Sequence, residues 1–99
     1  MIEENNFLYE TENFLGANFH QDIESPEEAL EEYISECNNE ALQFTLDFLT
    51  DFLNDNLSNK EKEEFIEANT EIYFPAIGLT PLEWLKSVVN KINGALCEK

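Results

Sequence analysis

Apolar side chains recur along most of the chain at the spacing of one face of an α-helix. The first stripe consists of Phe7, Leu8, Phe14 and Leu15. Its i, i+1, i+7, i+8 spacing predicts a helix over roughly residues 4–19, with Gly16 near the end. A second helix is predicted to begin at Ser25-Pro26-Glu27-Glu28, where a serine can cap, a proline is tolerated at the first position and a glutamate can complete a capping box. Its inward side carries Leu30, Tyr33, Ile34 and Cys37.

The longest predicted helix follows Asn38-Asn39 and has two apolar stripes side by side. One stripe is Leu42, Leu46, Leu49 and Leu53, and the other is Ala41, Phe44, Phe48 and Phe52. At about 100° per residue the two stripes cover more than half of the helix circumference, which leaves Asp47, Asp51 and Asn54 outside them. A helix this widely apolar is expected at the centre of a bundle, with the Phe stripe in the core.

Two further helices have explicit start signals. Ser58-Asn59-Lys60-Glu61 is a capping box whose helix turns Phe65 and Ile66 inward and ends near Asn69. Residues 70–79 are predicted to be an irregular connection, with room for one short extended piece. Thr80-Pro81-Leu82-Glu83 is a third box, and Asn93-Gly94 predicts the end of its helix. These patterns predict an all-α, single-domain bundle of about five helices over residues 1–99, around the central Phe/Leu-rich helix.

Composition supports a folded domain. The chain has 99 residues, of which 42% are hydrophobic and 12% aromatic, as in globular proteins. No apolar run approaches the ~20 residues of a membrane span, and the acidic start Met1-Ile2-Glu3-Glu4 is unlike a basic signal peptide. Cys37 and Cys97 are isolated thiols. Together these features predict a cytoplasmic protein.

The net charge of −17 is concentrated in the first part of the chain. Residues 1–59 carry fifteen Asp and Glu and no Lys or Arg, whereas residues 60–99 carry seven acids and five lysines. Such a field repels nucleic acid and anionic membrane surfaces, so neither is expected as a direct partner. It attracts a strongly basic protein. The alternative is an acidic surface that only keeps the protein soluble.

Motifs for catalysis and metal binding are absent. Asp55-Asn56-Leu57-Ser58 lacks the alternating ligands, the central glycine and the final glutamate of an EF-hand. Ser58 is better explained as a helix cap than as the attachment serine of a carrier protein. His20, the single histidine, has neither a second histidine nor a nucleophile motif beside it. We therefore expect no enzymatic activity, no metal and no cofactor.

Two segments resemble the immunity proteins of contact-dependent growth inhibition (CDI) systems. The string Gly16-Ala17-Asn18-Phe19-His20-Gln21-Asp22 is similar to a "GAYFHQDW"-like signature near the N-terminus of one large family of these proteins. The segment Leu79-Thr80-Pro81-Leu82-Glu83-Trp84-Leu85 is similar to the family's second signature, a Trp-Leu pair that opens the last helix. The chain departs from the first signature at Asn18, where an aromatic residue is usual, and at Ile23, where a tryptophan is usual.

The resemblance implies a stoichiometric inhibitor of a toxin. Such proteins stay in the producer's cytoplasm and bind the C-terminal toxin domain of a large exoprotein, and that domain is very often a basic nuclease. We expect a monomer in a 1:1 complex that occludes the toxin's basic substrate or active-site surface. The predicted toxin-binding residues are Glu24, Glu27, Glu28, Glu31, Glu32, Glu36, Asp47 and Asp51. Structural roles are expected for the signature residues Gly16, Phe19, His20, Gln21, Asp22, Trp84 and Leu85.

Two other functions stay open from the sequence. An acidic nucleic-acid mimic that blocks an unrelated basic protein would bind many basic proteins with comparable affinity. A small helical adaptor would expose an apolar groove for an amphipathic helix. His20 could itself contact the toxin, although a role in satisfying backbone groups at the end of the first helix is favoured.

Overall fold

The order of helices follows the predicted order of start signals. The computed structural model describes residues 6–19 and 25–98, and its helices are α1 (Asn6–Asn18), α2 (Pro26–Glu36), α3 (Asn39–Asn54), α4 (Asn59–Asn69), α5 (Phe74–Ile77) and α6 (Pro81–Glu98). No β-strand occurs in these described ranges. The all-α bundle is therefore confirmed. The described residues form six helices instead of about five, because the one-turn α5 lies within the segment predicted to be irregular.

Side-chain caps start four of the helices. Ser25 Oγ accepts a hydrogen bond from the backbone N–H of Glu28 at 3.0 Å, and Asn38 Oδ1 accepts one from Ala41 at 2.8 Å. These caps satisfy N–H groups that have no partner within the helix. Complete capping boxes, in which two residues bond each other's backbone N–H, are formed by Ser58 with Glu61 and by Thr80 with Glu83.

The core is built around α3, which packs mainly against α1 and α6. Helix α3 buries one side of its circumference, and both of its predicted stripes contribute. The buried apolar residues of these three helices form one cluster: Phe14, Leu15, Leu42, Phe48, Leu49, Phe52, Trp84, Leu85, Val88 and Ile92. The prediction of a central Phe/Leu-rich helix is confirmed.

Phe44 is the exception to the predicted Phe stripe, because its side chain is 54% exposed. It lies seven residues before Asp51, so at about 100° per residue the two side chains are within roughly 20° of each other on α3. The stripe is therefore wider than the surface that the neighbouring helices cover. Phe44 keeps an edge contact with the buried Phe48, with ring centroids 5.3 Å apart.

The predicted stop at Asn93-Gly94 is wrong, since α6 continues through both residues to Glu98. A glycine costs a helix only about 1 kcal/mol relative to alanine. Beyond Gly94, Ala95 and Leu96 pack against the core, and this burial offsets that cost. The left-handed conformation that ends a helix occurs instead at Gly78, which has φ 72° and follows α5.

A buried lysine connects α4 to the end of α3. The side chain of Lys62 is buried, and its Nζ donates a hydrogen bond to the backbone oxygen of Leu53 at 2.6 Å. The carbonyls of the last helical turn lack intrahelical partners, and Lys62 supplies one. Lys62, one of the five lysines of the chain, therefore stabilises the fold and adds little positive charge to the surface.

Candidate functional site

Five exposed glutamates project from α2. The cap at Ser25 and the proline at the first position set the start of this helix, and Leu30 is buried in the core. The glutamates therefore lie on the sides that point away from the core. We call this surface the α2 acidic face, and it consists of Glu27, Glu28, Glu31, Glu32 and Glu36. The sixth predicted glutamate, Glu24, lies outside the described residues.

Lys91 of α6 partly neutralises the α2 acidic face. Its Nζ lies 3.7 Å from Glu27 Oε2 and 3.9 Å from Glu31 Oε2. The Lys91 side chain is about half exposed and both glutamates are largely exposed, so these pairs contribute only about 0–1 kcal/mol to stability. Within the described part of the chain no salt bridge involves the other members of the face, Glu28, Glu32 and Glu36.

The two predicted aspartates of α3 are also exposed. Asp47 and Asp51 lie on the outer side of this helix, and Glu40, seven residues before Asp47, shares that side by helical periodicity. Asp47 accepts a hydrogen bond from the side chain of Gln43 at 2.9 Å. The carboxylates of α3 form a second acidic surface, which sequence reasoning had treated as an extension of the first.

An apolar groove of about 250 Å³ runs between α1, α2 and α3. Phe14, Tyr33 and Phe48 contribute to its wall, and Phe44 lies at its open side. Glu10 is the one charged side chain among the described residues that line it. Sequence reasoning missed this groove, although the position of Phe44 on α3, next to Asp51 at the edge of the apolar stripe, was a signal for it.

Tyr33 connects α2 to the other two helices of this groove, α1 and α3. Its hydroxyl shares a short hydrogen bond with Thr45 Oγ1 of α3, and its ring packs edge-on against Phe14 at a centroid distance of 5.0 Å. Burial raises the pKa of the Tyr33 hydroxyl above the ordinary value of 10.0, because an ionised oxygen would lose its hydration there. The hydroxyl therefore stays protonated at neutral pH.

The aromatic residues of the two signatures meet in the core. The buried rings of Phe19 and Trp84 are perpendicular, with their centroids 4.8 Å apart, and Leu85 is fully buried beside them in the same cluster. The backbone oxygen of Phe19 accepts a hydrogen bond from the N–H of Glu71 at 2.9 Å. Gly16 is exposed within α1, and a Cβ added there would meet no atom within 4 Å. His20, Gln21 and Asp22 lie outside the described residues.

Trp84 also borders a second groove, of about 310 Å³, between α2 and α6. Leu30 and Val88 line it, while Ile77 and Leu79 are partly exposed at its margin. Ser25, the first residue described after the 20–24 gap, is part of the lining. The groove therefore adjoins a segment that the structure does not describe.

Three features of the described residues concern metal binding, cysteine pairing and membrane-spanning helices. They contain no cluster of three or more His, Cys, Asp or Glu side chains that could hold a metal ion, and Cys37 and Cys97 are free thiols. No described helix is long and apolar enough to cross a membrane. The described surface carries exposed carboxylates on α2 and α3 and two grooves with aromatic residues in their lining.

Comparison with known proteins identifies the family. A sequence model described as CdiI immunity protein matches residues 8–92. This range includes both signatures, the four complete helices from α2 to α5, and most of α1 and α6. No curated protein and no solved structure matches the chain. Because the family match extends over nearly the whole sequence, the chain belongs to the CdiI immunity protein family.

Proposed function

We propose that this immunity protein binds a basic nuclease toxin in a 1:1 complex and covers its substrate or active-site surface. Membership of the CdiI family implies immunity against a CDI toxin. The toxin's nuclease chemistry, the occlusion and a cytoplasmic location are our proposals. Inhibition then consists of binding alone, with no bond made or broken.

The observation that carries the proposal is the α2 acidic face. Five exposed carboxylates lie on an 11-residue helix, and the salt bridges found there involve one lysine, Lys91. A surface that binds phosphate backbones is rich in Lys and Arg, so the α2 acidic face is complementary to it. Asp47 and Asp51 add negative charge from α3. We expect long-range attraction between such surfaces to raise the association rate above the ~10⁵–10⁶ M⁻¹s⁻¹ of neutral pairs.

We propose structural roles for the signature residues. The contacts of Phe19 with Trp84 and with the backbone of Glu71 support this role for the described part of the signatures. For His20, Gln21 and Asp22 the same role rests on the sequence resemblance alone. These residues would maintain the fold, while the exposed acids contact the partner.

The experiment compares two triple charge reversals that change the net charge equally. One replaces Glu28, Glu32 and Glu36 of the α2 acidic face with Lys; these glutamates have no part in the Lys91 salt bridges. The matched control replaces Glu64, Glu67 and Glu71, which are exposed on or just after α4. The probe is the C-terminal toxin domain that we expect the upstream reading frame to encode.

The α2 triplet should slow association at least tenfold in stopped-flow measurements at low salt, whereas the α4 triplet should change it little. Wild-type association should also slow steeply as salt is raised, because screening weakens steering. Equal effects of the two triplets would refute the location of the surface, and a salt-independent rate would refute the electrostatic mechanism. An equimolar amount of the protein should abolish cleavage of RNA or DNA by the toxin domain; persistent cleavage in the complex would refute occlusion.

A further inference from the structure

We propose that the groove between α1, α2 and α3 takes up an apolar side chain that is flanked by Lys or Arg on a basic segment of the toxin. This inference rests on the proposed function and deepens it, since it assigns the anchoring point of the complex. The α2 acidic face would attract the toxin, and the groove at Phe44 would hold it.

The size of the groove fits a side chain. Its volume of about 250 Å³ is below the ~300–1,000 Å³ that is typical of pockets for small molecules and cofactors. Phe14 and Phe48, two of its wall residues, are buried in the core, so the wall is held in place by the fold. A preformed wall lowers the ordering cost of binding.

Phe44 provides the apolar contact area. More than half of its side chain is exposed, while its edge contact with Phe48 fixes the ring at the border of the groove. Aromatic side chains are enriched in the buried centres of protein interfaces, where they contribute large contact area. A partner side chain in the groove would cover the exposed part of Phe44 and remove it from water.

The charge around the groove selects a basic partner. Glu10 lines the groove directly, and Glu40 lies one helical turn before Phe44 on α3. Asp51 shares the side of α3 on which Phe44 is exposed. The lining residues that are described include no lysine. An apolar side chain next to Lys or Arg would therefore be favoured over one next to Asp or Glu.

The two surfaces should affect different rate constants. Exposed charges at the edge of a contact act mainly on association, because they act at a distance. Close packing in a desolvated centre acts mainly on dissociation. Substitutions in the groove should therefore shorten the lifetime of the complex and leave its salt-dependent association nearly unchanged.

The first experiment measures the dissociation rate of the same toxin domain from three variants. Phe44→Ala removes the exposed ring. Ala17→Lys and Ala17→Glu place side chains of opposite charge at an exposed position of α1 that lines the groove. Tyr73→Ala is the control, since Tyr73 is 73% exposed and does not line the groove. Circular dichroism and thermal unfolding should show that all four variants fold.

Phe44→Ala should accelerate dissociation at least tenfold, and Ala17→Lys should accelerate it more than Ala17→Glu, while Tyr73→Ala should stay within twofold of the wild type. Dissociation of the Phe44→Ala complex within twofold of wild type, or equal effects of the two Ala17 variants, would overturn the proposal even though toxin binding itself persists. Failure of the wild type to bind the toxin would refute the proposed function, and this inference with it.

A second measurement locates the occupant directly. A photoreactive benzoylphenylalanine at position 44 should crosslink to a basic segment of the toxin domain, and the same group at position 73 should not. Crosslinking to residues 1–5 of the same chain, or to a second copy of it in the presence of toxin, would show a different occupant and overturn the proposal.

Discussion

Replacing Phe19 with alanine tests whether the N-terminal signature is a packing element. The side chain of Phe19 is fully buried and is in edge contact with two aromatic rings, that of Trp84 at 4.8 Å and that of Phe14 at 5.6 Å. Phe19 follows α1 directly, so the alanine variant loses its ring contacts with Phe14 of α1 and with Trp84 of α6.

The expected loss is large because the site is buried. Truncation of a buried phenylalanine to alanine typically costs about 3–5 kcal/mol, a substantial part of the ~5–15 kcal/mol that stabilises a domain. Phe44→Ala makes the same chemical change at a side chain that is 54% exposed. Full burial of a phenylalanine side chain is worth about 1.5–3 kcal/mol, and only about half of the Phe44 side chain is buried. Phe44→Ala should therefore lower the free energy of unfolding by about 1 kcal/mol.

Urea titrations followed by far-UV circular dichroism would measure both free energies of unfolding. The Phe19→Ala midpoint should fall far below that of Phe44→Ala, with similar slopes for the two variants. On heating, Phe19→Ala should unfold more than about 12 °C below the wild type, at ~4–8 °C for each kcal/mol. A loss below about 1 kcal/mol in Phe19→Ala would refute a stabilising role for Phe19. Equal losses in the two variants would refute the argument that burial sets the size of the loss.

Two further predictions concern the backbone and the half-buried hydroxyl of Tyr33. Gly94→Ala should raise the free energy of unfolding, measured in urea, by about 0.5–1 kcal/mol, because α6 is helical at Gly94 and a Cβ there meets no atom within 4 Å. Gly78→Ala should lower it by about 1–2 kcal/mol, because φ at Gly78 is +72°. A change of the same sign in both variants would contradict the reasoning. Burial raises the pKa of Tyr33 above 10.0, so its contribution to stability is complete below pH 10 and is lost as the pH rises through the folded-state pKa. Tyr33→Phe should therefore lose less stability than the wild type between pH 9 and 11 in urea titrations, and equal losses would show that Tyr33 is not the group responsible.

The sequence by itself determined the starts of the helices and the balance of charge. A cap depends on two residues three positions apart, as in Ser58 with Glu61 or Thr80 with Glu83, so the signal is local and survives without tertiary context. The family could also be recognised from the sequence, because its signatures are short contiguous motifs. The acidic character of α2 follows from composition and helical period alone.

Only the tertiary structure decided which apolar surface is covered and where a weak stop signal is overridden. Helical period placed Phe44 in a stripe, but its exposure depends on where α1 and α2 stop covering α3. Gly94 was a local stop signal, and packing of Leu96 on the core outweighs it. Lys91 reaches Glu27 and Glu31 from the far end of the chain. Each of these outcomes depends on contacts between residues that are distant in sequence. The energy of such contacts cannot be inferred from a local sequence pattern.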